Sequence, residues 1–201
     1  MRLLGNPAPA SDHAQRSTRL AFLIAGFAGA AWAPIIPYVK LRCGLNDAHL
    51  GLLLLCLGMG SIVAMPVAGT LAGRFGCRWI ITIAVVLACC TLPVLASSSL
   101  LFLLAPALIL FGAGVGSIDC LVNVQAVIVE RACGKAMMSG FHGLFSVGGL
   151  LGATGVSALL GLGFSPLQAV GVGISLIAVA AIAAVPGLLN GRTSSAEVAS
   201  F

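Results

Sequence analysis

Charge is what this sequence has least of: Asp, Glu, Lys and Arg together make up 7% of its 201 residues, while hydrophobic side chains make up 60%. A soluble domain carries about a quarter charged residues. Folding alone does not hide this much apolar surface from water, so a water-soluble globule is excluded. Aromatic residues are scarce too, at 6%, with a single tyrosine. A nucleic-acid face needs basic and aromatic side chains gathered on one surface; no such cluster is visible, so no nucleic-acid partner is expected. The seven cysteines show neither C-x-x-C nor metal-ligand spacing. Cys56, Cys89, Cys90 and Cys120 fall inside apolar runs, where cysteine acts as a small hydrophobe. No disulfide framework, metal or cofactor is expected.

What the chain has instead is long apolar runs. A helix needs about 20 residues to cross a bilayer, and runs of that length lie at about 20–39, 49–72, 79–97, 100–127, 137–162 and 166–189. The expected fold is an all-α integral membrane bundle of six transmembrane helices over 19–189. A polar segment (1–18) precedes it and a polar tail (190–201) follows. "AWA" at 31–33 imitates a signal-peptidase site, but Pro34 follows it and further spans come after, so the first helix stays uncleaved. Pro34 and Pro37 bend or end that helix. "ERACGK" at 130–135 reads as a charged loop, and Ser165-Pro166 opens the last span.

The few cations carry topology. Cytoplasmic segments are enriched in Lys and Arg. With the N-terminus inside, Arg2, Arg16, Arg19, Arg74, Arg78, Arg131, Lys135 and Arg192 fall on the inner side, and only Lys40 and Arg42 on the outer. Both termini are therefore expected in the cytoplasm, and "GRFGCRW" (73–79) is a cytoplasmic hairpin. Small residues let helix backbones approach in lipid, and Gly112-x-x-x-Gly116 and Gly148-x-x-x-Gly152 supply them.

Polar groups inside a span are costly and face a cavity or a partner. Asp119, Asn123 and Gln125 fall in the cytoplasmic half of the fourth span, and His142 and Ser146 near the start of the fifth. Asp119 and Asn123 are four apart, as are His142 and Ser146, so each pair shares a helix face. At 1.5 Å per residue, Asp119 is expected about 12 Å from the inner end of its helix and His142 about 8 Å from the inner end of the next. Those helices are expected to be antiparallel neighbours, which brings the carboxylate and imidazole within reach of each other. Such a pair suits proton uptake and release, since its protonation depends on its surroundings. The bland alternative is a structural Asp–His pair, or an Asp119 bonded to Ser117 or Asn123. Trp32 and Tyr38 lie near the outer end of the first span, as interfacial anchors or, for Trp32, as a cavity wall. Glu130, Arg131 and Lys135 read as solvated loop charges.

At this point the sequence resembles the N-terminal half of a major facilitator superfamily transporter. Gly69-Thr-Leu-Ala-Gly73-Arg74-Phe-Gly76-Cys-Arg78 is similar to the family's G-x-L-A-D-R-x-G-x-R signature between helices two and three. The resemblance implies that Gly69, Arg74, Gly76 and Arg78 form a cytoplasmic gating loop, with Gly73 standing where many members carry an anchoring acid. Trp32-Ala-Pro-Ile-Ile-Pro37, "GSIVAMPVAG" (60–69), Gly116-Ser-Ile-Asp119-Cys-Leu-Val-Asn123 and "MSGFHGLFSVGGLLGA" (138–153) resemble the branch related to fucose permease. Leu108 stands where drug antiporters carry an arginine.

The resemblance implies one half of a twelve-helix fold in the cell (inner) membrane. It implies secondary, proton-linked symport of a small polar solute such as a sugar. Asp119 and His142 would couple the proton; Trp32, Asn123, Gln125 and Ser146 would line the solute cavity. Members join two six-helix halves around a midplane site, and no seventh apolar run follows Leu189. The implied partners are the bilayer, a solute, and a second half that is either another copy of this chain or a separate one. The alternative is a truncated, non-transporting membrane protein, towards which the polar tail leans. A six-span intramembrane hydrolase, invited by Ser139 and His142, is set aside because the two sit on one helix as a poor nucleophile–base pair. No enzyme activity is expected.

Overall fold

The computed structural model describes residues 12–189. Among them every regular element is helical, and six segments are long and apolar enough to cross a membrane. The first crossing is broken. Helix α1 (Asp12–Ala30) ends before a 3₁₀ turn (Ala33–Ile35), and α2 (Ile36–Arg42) completes the span. Pro34 and Pro37, each in the first turn of its short helix, sit where their missing N–H groups break the ladder, as expected. The other crossings are α3 (Asp47–Phe75), α4 (Cys77–Ser97), α5 (Leu101–Cys133), α6 (Met138–Gly161) and α7 (Pro166–Ala184), the last running on into a 3₁₀ turn to Gly187.

Local chemistry explains most of the boundaries. The Asn46 side chain accepts the His49 N–H at 2.8 Å and starts α3. Ser165 and Gln168 form a reciprocal capping box with Pro166 at the first position of α7. Gly134, at φ 63°, ends α5 in the left-handed conformation that glycine adopts without strain. Two boundaries depart from expectation. Residues 12–18, read as part of a polar lead, are the first turns of α1. Residues 130–133, read as loop, are the last turn of α5, which outruns its apolar stretch by more than a turn. The polar tail 190–201, Arg2 and Arg192 lie outside the described residues.

Packing is dominated by two seams. Helix α3 lies along α5, and α1 lies along α6. A methyl group on Gly60 would collide with the Ile109 carbonyl, and one on Gly112 with the Leu57 carbonyl, so α3 and α5 touch backbone to backbone on both sides. Ser61 adds a hydroxyl donated to the Gly112 carbonyl at 2.8 Å. In the same way Gly26 meets the Phe145 carbonyl, Gly148 the Leu23 carbonyl and Gly152 the Phe27 backbone. In lipid such close approach is what holds helices together. Helix α4 closes on the far side of α5 and α7 bridges α1 and α4. Phe22, Phe111, Leu104 and Leu121 fill the interior, while Ile62, Val86 and Ile182 stand outward.

Three contacts gather one end of the bundle. The Arg78 N–H donates to the Leu189 carbonyl at 3.3 Å. The Leu189 N–H donates to Gln125 Oε1 at 3.2 Å, and Gln125 Nε2 donates to Thr18 Oγ1 at 3.3 Å. The start of α1, the α3–α4 junction, the end of α5 and the end of α7 therefore share that end. Among the described residues it holds Arg16, Arg19, Arg74, Arg78, Arg131 and Lys135, and the opposite end holds Lys40 and Arg42.

Candidate functional site

A cavity of about 530 Å³ opens beside α5, lined by Asp119, Cys120, Asn123, Val124 and Val127 of α5, Met65 of α3, and Met138 and His142 of α6. Asp119 sits two residues past the midpoint of α5, and fourteen residues, about 21 Å, before its end at Cys133. The shallower depth expected from a helix ending near Val127 is corrected by the extra turns of α5. The Asp119 side chain is half-buried. The bland pairing with Asn123 takes another form: Asn123 Nδ2 donates to the Asp119 backbone carbonyl at 2.8 Å, one turn back, and leaves the carboxylate alone. Among the described residues no hydrogen bond reaches that carboxylate.

His142 shares the cavity wall with Asp119, but not for the reason expected. Helices α5 and α6 are consecutive yet barely touch; α6 packs against α1 instead. The His142 ring stands edge-on to Phe22 of α1, centroids 5.3 Å apart at 77°, and Phe22 stacks on Phe141 at 5.4 Å. His142 is held from the α1 side and presented towards α5. No hydrogen bond joins it to Asp119 among the described residues.

Three residues read as cavity candidates lie elsewhere. Gln125 is fully buried and spends both ends of its amide on tying α1, α5 and Leu189 together. Ser146 is exposed and donates to the His142 backbone carbonyl of its own helix at 3.2 Å. Trp32 is buried at 4% exposure just beyond the end of α1, away from this cavity, and its Nε1–H has no hydrogen-bond partner among the described residues.

The hairpin between α3 and α4 is a single residue. Gly76, at φ 89° and buried, separates Phe75 from Cys77, a conformation that L side chains rarely adopt. Gly69 is buried in α3; Arg74 is exposed in its last turn, and Arg78 is half-exposed in the first turn of α4. Neither arginine has an ion-pair partner among the described residues.

Two positioning groups escaped the sequence reading. Glu130, read as a solvated charge, accepts the Met137 and Met138 N–H groups at 2.5 and 2.6 Å. It satisfies orphan donors at the start of α6 and places a negative charge at the positive end of the helix dipole. An acid a few residues ahead of a helix was the available signal, obscured because Glu130 belongs to the preceding helix. Arg42 spreads its guanidinium over three carbonyls at the end of α4, those of Leu95, Ala96 and Ser98, at 2.7 to 3.0 Å. More than fifty residues separate the donor from its acceptors, so no local pattern announces it.

The chain is 55% identical to an uncharacterised MFS-type transporter of Yersinia pestis over 177 residues, 88% of this chain and 46% of that protein. The chain is related to transporters of the major facilitator kind. It is also 35% identical to an uncharacterised transporter of Sinorhizobium fredii over 70% of its length. To the membrane protein MosC of Rhizobium meliloti it is 36% identical over 65%. The matched segment spans less than half of each of these curated relatives: 46%, 37% and 32%. No family model matches the chain. A multi-pass membrane protein with six membrane-length helices, related to transporters, is what sequence, fold and relatives agree on.

Proposed function

We infer that this chain forms one half of a secondary active transporter and carries its proton-coupling group, Asp119. The observation that carries the reading is the cavity: a carboxylate near the middle of α5, without a hydrogen-bond partner among the described residues, opens into about 530 Å³ beside an imidazole and an amide. An acid inside a membrane span is expensive and is a functional residue by default. Kinship with major-facilitator-type transporters supplies the activity class. On this reading Asp119 takes up the proton, His142 shares it, and Asn123 and the cavity wall meet a small polar solute. The likeness of the α5 and α6 motifs to the fucose-permease-related branch favours a sugar and symport. The gathering of cations at one end favours an inner-membrane orientation with that end in the cytoplasm, where Gly69, Arg74, Gly76 and Arg78 gate.

The solute site of such transporters lies between two halves, so activity needs a second six-helix half beside this one. The test is uptake by the reconstituted assembly in liposomes under an imposed pH gradient. Asp119→Asn abolishes pH-driven accumulation and His142→Ala weakens it. Accumulation that keeps its full proton dependence in Asp119→Asn removes Asp119 from the mechanism. A wild-type chain that inserts normally but neither assembles with another half nor binds solute supports the second reading, a non-transporting membrane protein.

A further inference from the structure

A second cavity, of about 410 Å³, lies on the opposite flank of the bundle, between α4 and α7. Its walls are Thr82, Val85, Val86, Cys89 and Cys90 on one side and the stretch from Ile174 to Pro186 on the other. Apart from the Thr82 hydroxyl, which is committed to the Arg78 carbonyl at 2.8 Å, it offers no oxygen or nitrogen side chain to a ligand. Its lips, Val86 and Ile182, are 55% and 76% exposed. In a chain that spans a bilayer, an open apolar groove on an outer flank faces acyl chains.

One end of the groove is charged. Arg78 precedes Thr82, Val85 and Cys89 by four, seven and eleven residues, which sets it on the groove's stripe of α4. It lies in the first turn of α4, is half-exposed, and has no carboxylate partner among the described residues. Side chains on a helix lean towards its N-terminus, so the guanidinium leans away from the groove floor towards the end of the bundle, where the Arg78–Leu189 backbone bond closes α4 onto α7. From Thr82 to Cys90 the apolar floor is about 12 Å long.

We propose that the α4–α7 groove binds one anionic phospholipid of the surrounding bilayer, with its phosphate on Arg78 and one acyl chain along the groove. A cation at the mouth of an apolar crevice between membrane helices is the arrangement that recognises such headgroups. Arginine's planar fork suits a phosphate. This site is separate from the Asp119 cavity and does not depend on transport.

The test is native mass spectrometry of the full chain loaded with phosphatidylglycerol, or with phosphatidylcholine of the same acyl chains. One phosphatidylglycerol is retained at collision energies that strip phosphatidylcholine. Arg78→Gln lowers its retention about fivefold, the loss of one favourable charge at the membrane surface, while Arg78→Lys keeps most of it. Ala178→Phe, which fills the groove from the α7 wall, and Val86→Trp, from the α4 wall, also lower it. Arg131→Gln, at the same end of the bundle but off the groove, leaves it unchanged. Equal losses in Arg78→Gln and Arg131→Gln would mean diffuse surface charge and overturn the proposal. So would retention unaffected by both groove-filling variants, equal retention of the two lipids, or displacement by glycerol phosphate alone.

Discussion

The α1–α6 and α3–α5 seams and the α5–α6 boundary are built from opposite materials. At the seams glycine brings backbone onto backbone, and a single added methyl has nowhere to go. At the boundary two consecutive helices stand apart, and the gap is lined by an acid, an amide, an imidazole and two methionines. Close packing is what binds helices in lipid, where the hydrophobic effect between them is weak. The chain thus locks α1 to α6 and α3 to α5, neither pair consecutive, and leaves the consecutive pair α5 and α6 open. Polar chemistry sits where locking has been withheld.

That contrast breaks most visibly at a seam. Gly112→Leu drives a side chain into the Leu57 carbonyl and separates α3 from α5. Overpacking costs about 1–3 kcal/mol and occasionally more, and here the obstacle is backbone, so the upper end or loss of a folded species is expected on thermal unfolding in detergent. Gly143→Ala, on the open side of α6 where an added Cβ meets nothing, is the matched control and leaves the melting temperature in place.

Next in size is Arg42→Ala. It strips a charged donor from three carbonyls at the end of α4, and hydrogen bonds to charged groups are worth about 1.5–3 kcal/mol each when buried. These are part-buried, so a total of about 2 kcal/mol is expected from the same unfolding measurement. Glu130→Ala uncaps α6 and costs about 1 kcal/mol, with faster hydrogen exchange at the Met137 and Met138 amides as its local signature. The smallest effect sharpens the comparison. Asp119→Asn does not lower stability, because among the described residues no hydrogen bond depends on its carboxylate and a neutral amide costs less inside a span than an acid. A large drop in melting temperature there would turn Asp119 from a working group into a structural one.

The sequence made the seams legible sooner than the site. Apolar runs of spanning length located all six crossings, Pro34 and Pro37 marked the break in the first, and the Gly112–Gly116 and Gly148–Gly152 spacings pointed at the faces that lock. Each of these is a local signal. What stayed hidden is non-local. That α6 packs on α1, that Arg42 caps α4, and that Gln125 ties α1 to the end of α7 all depend on which surfaces meet in three dimensions. Asp119 and His142 were singled out by the cost of placing them in lipid, which needs no knowledge of neighbours. The residues around them were taken from the same spans, and there polarity alone did not separate Asn123, which lines the cavity, from Gln125, which holds the frame.

The α1–α6 seam also sets a schedule. Gly26 and the Phe145 backbone it meets are roughly 120 residues apart, so at about 5–20 residues per second the first helix leaves the ribosome about 6–24 s before the surface it fits. During that interval its glycine-lined face meets lipid or the insertion machinery. Assembly of this bundle is thus a matter of holding the first span in reserve until the fifth arrives.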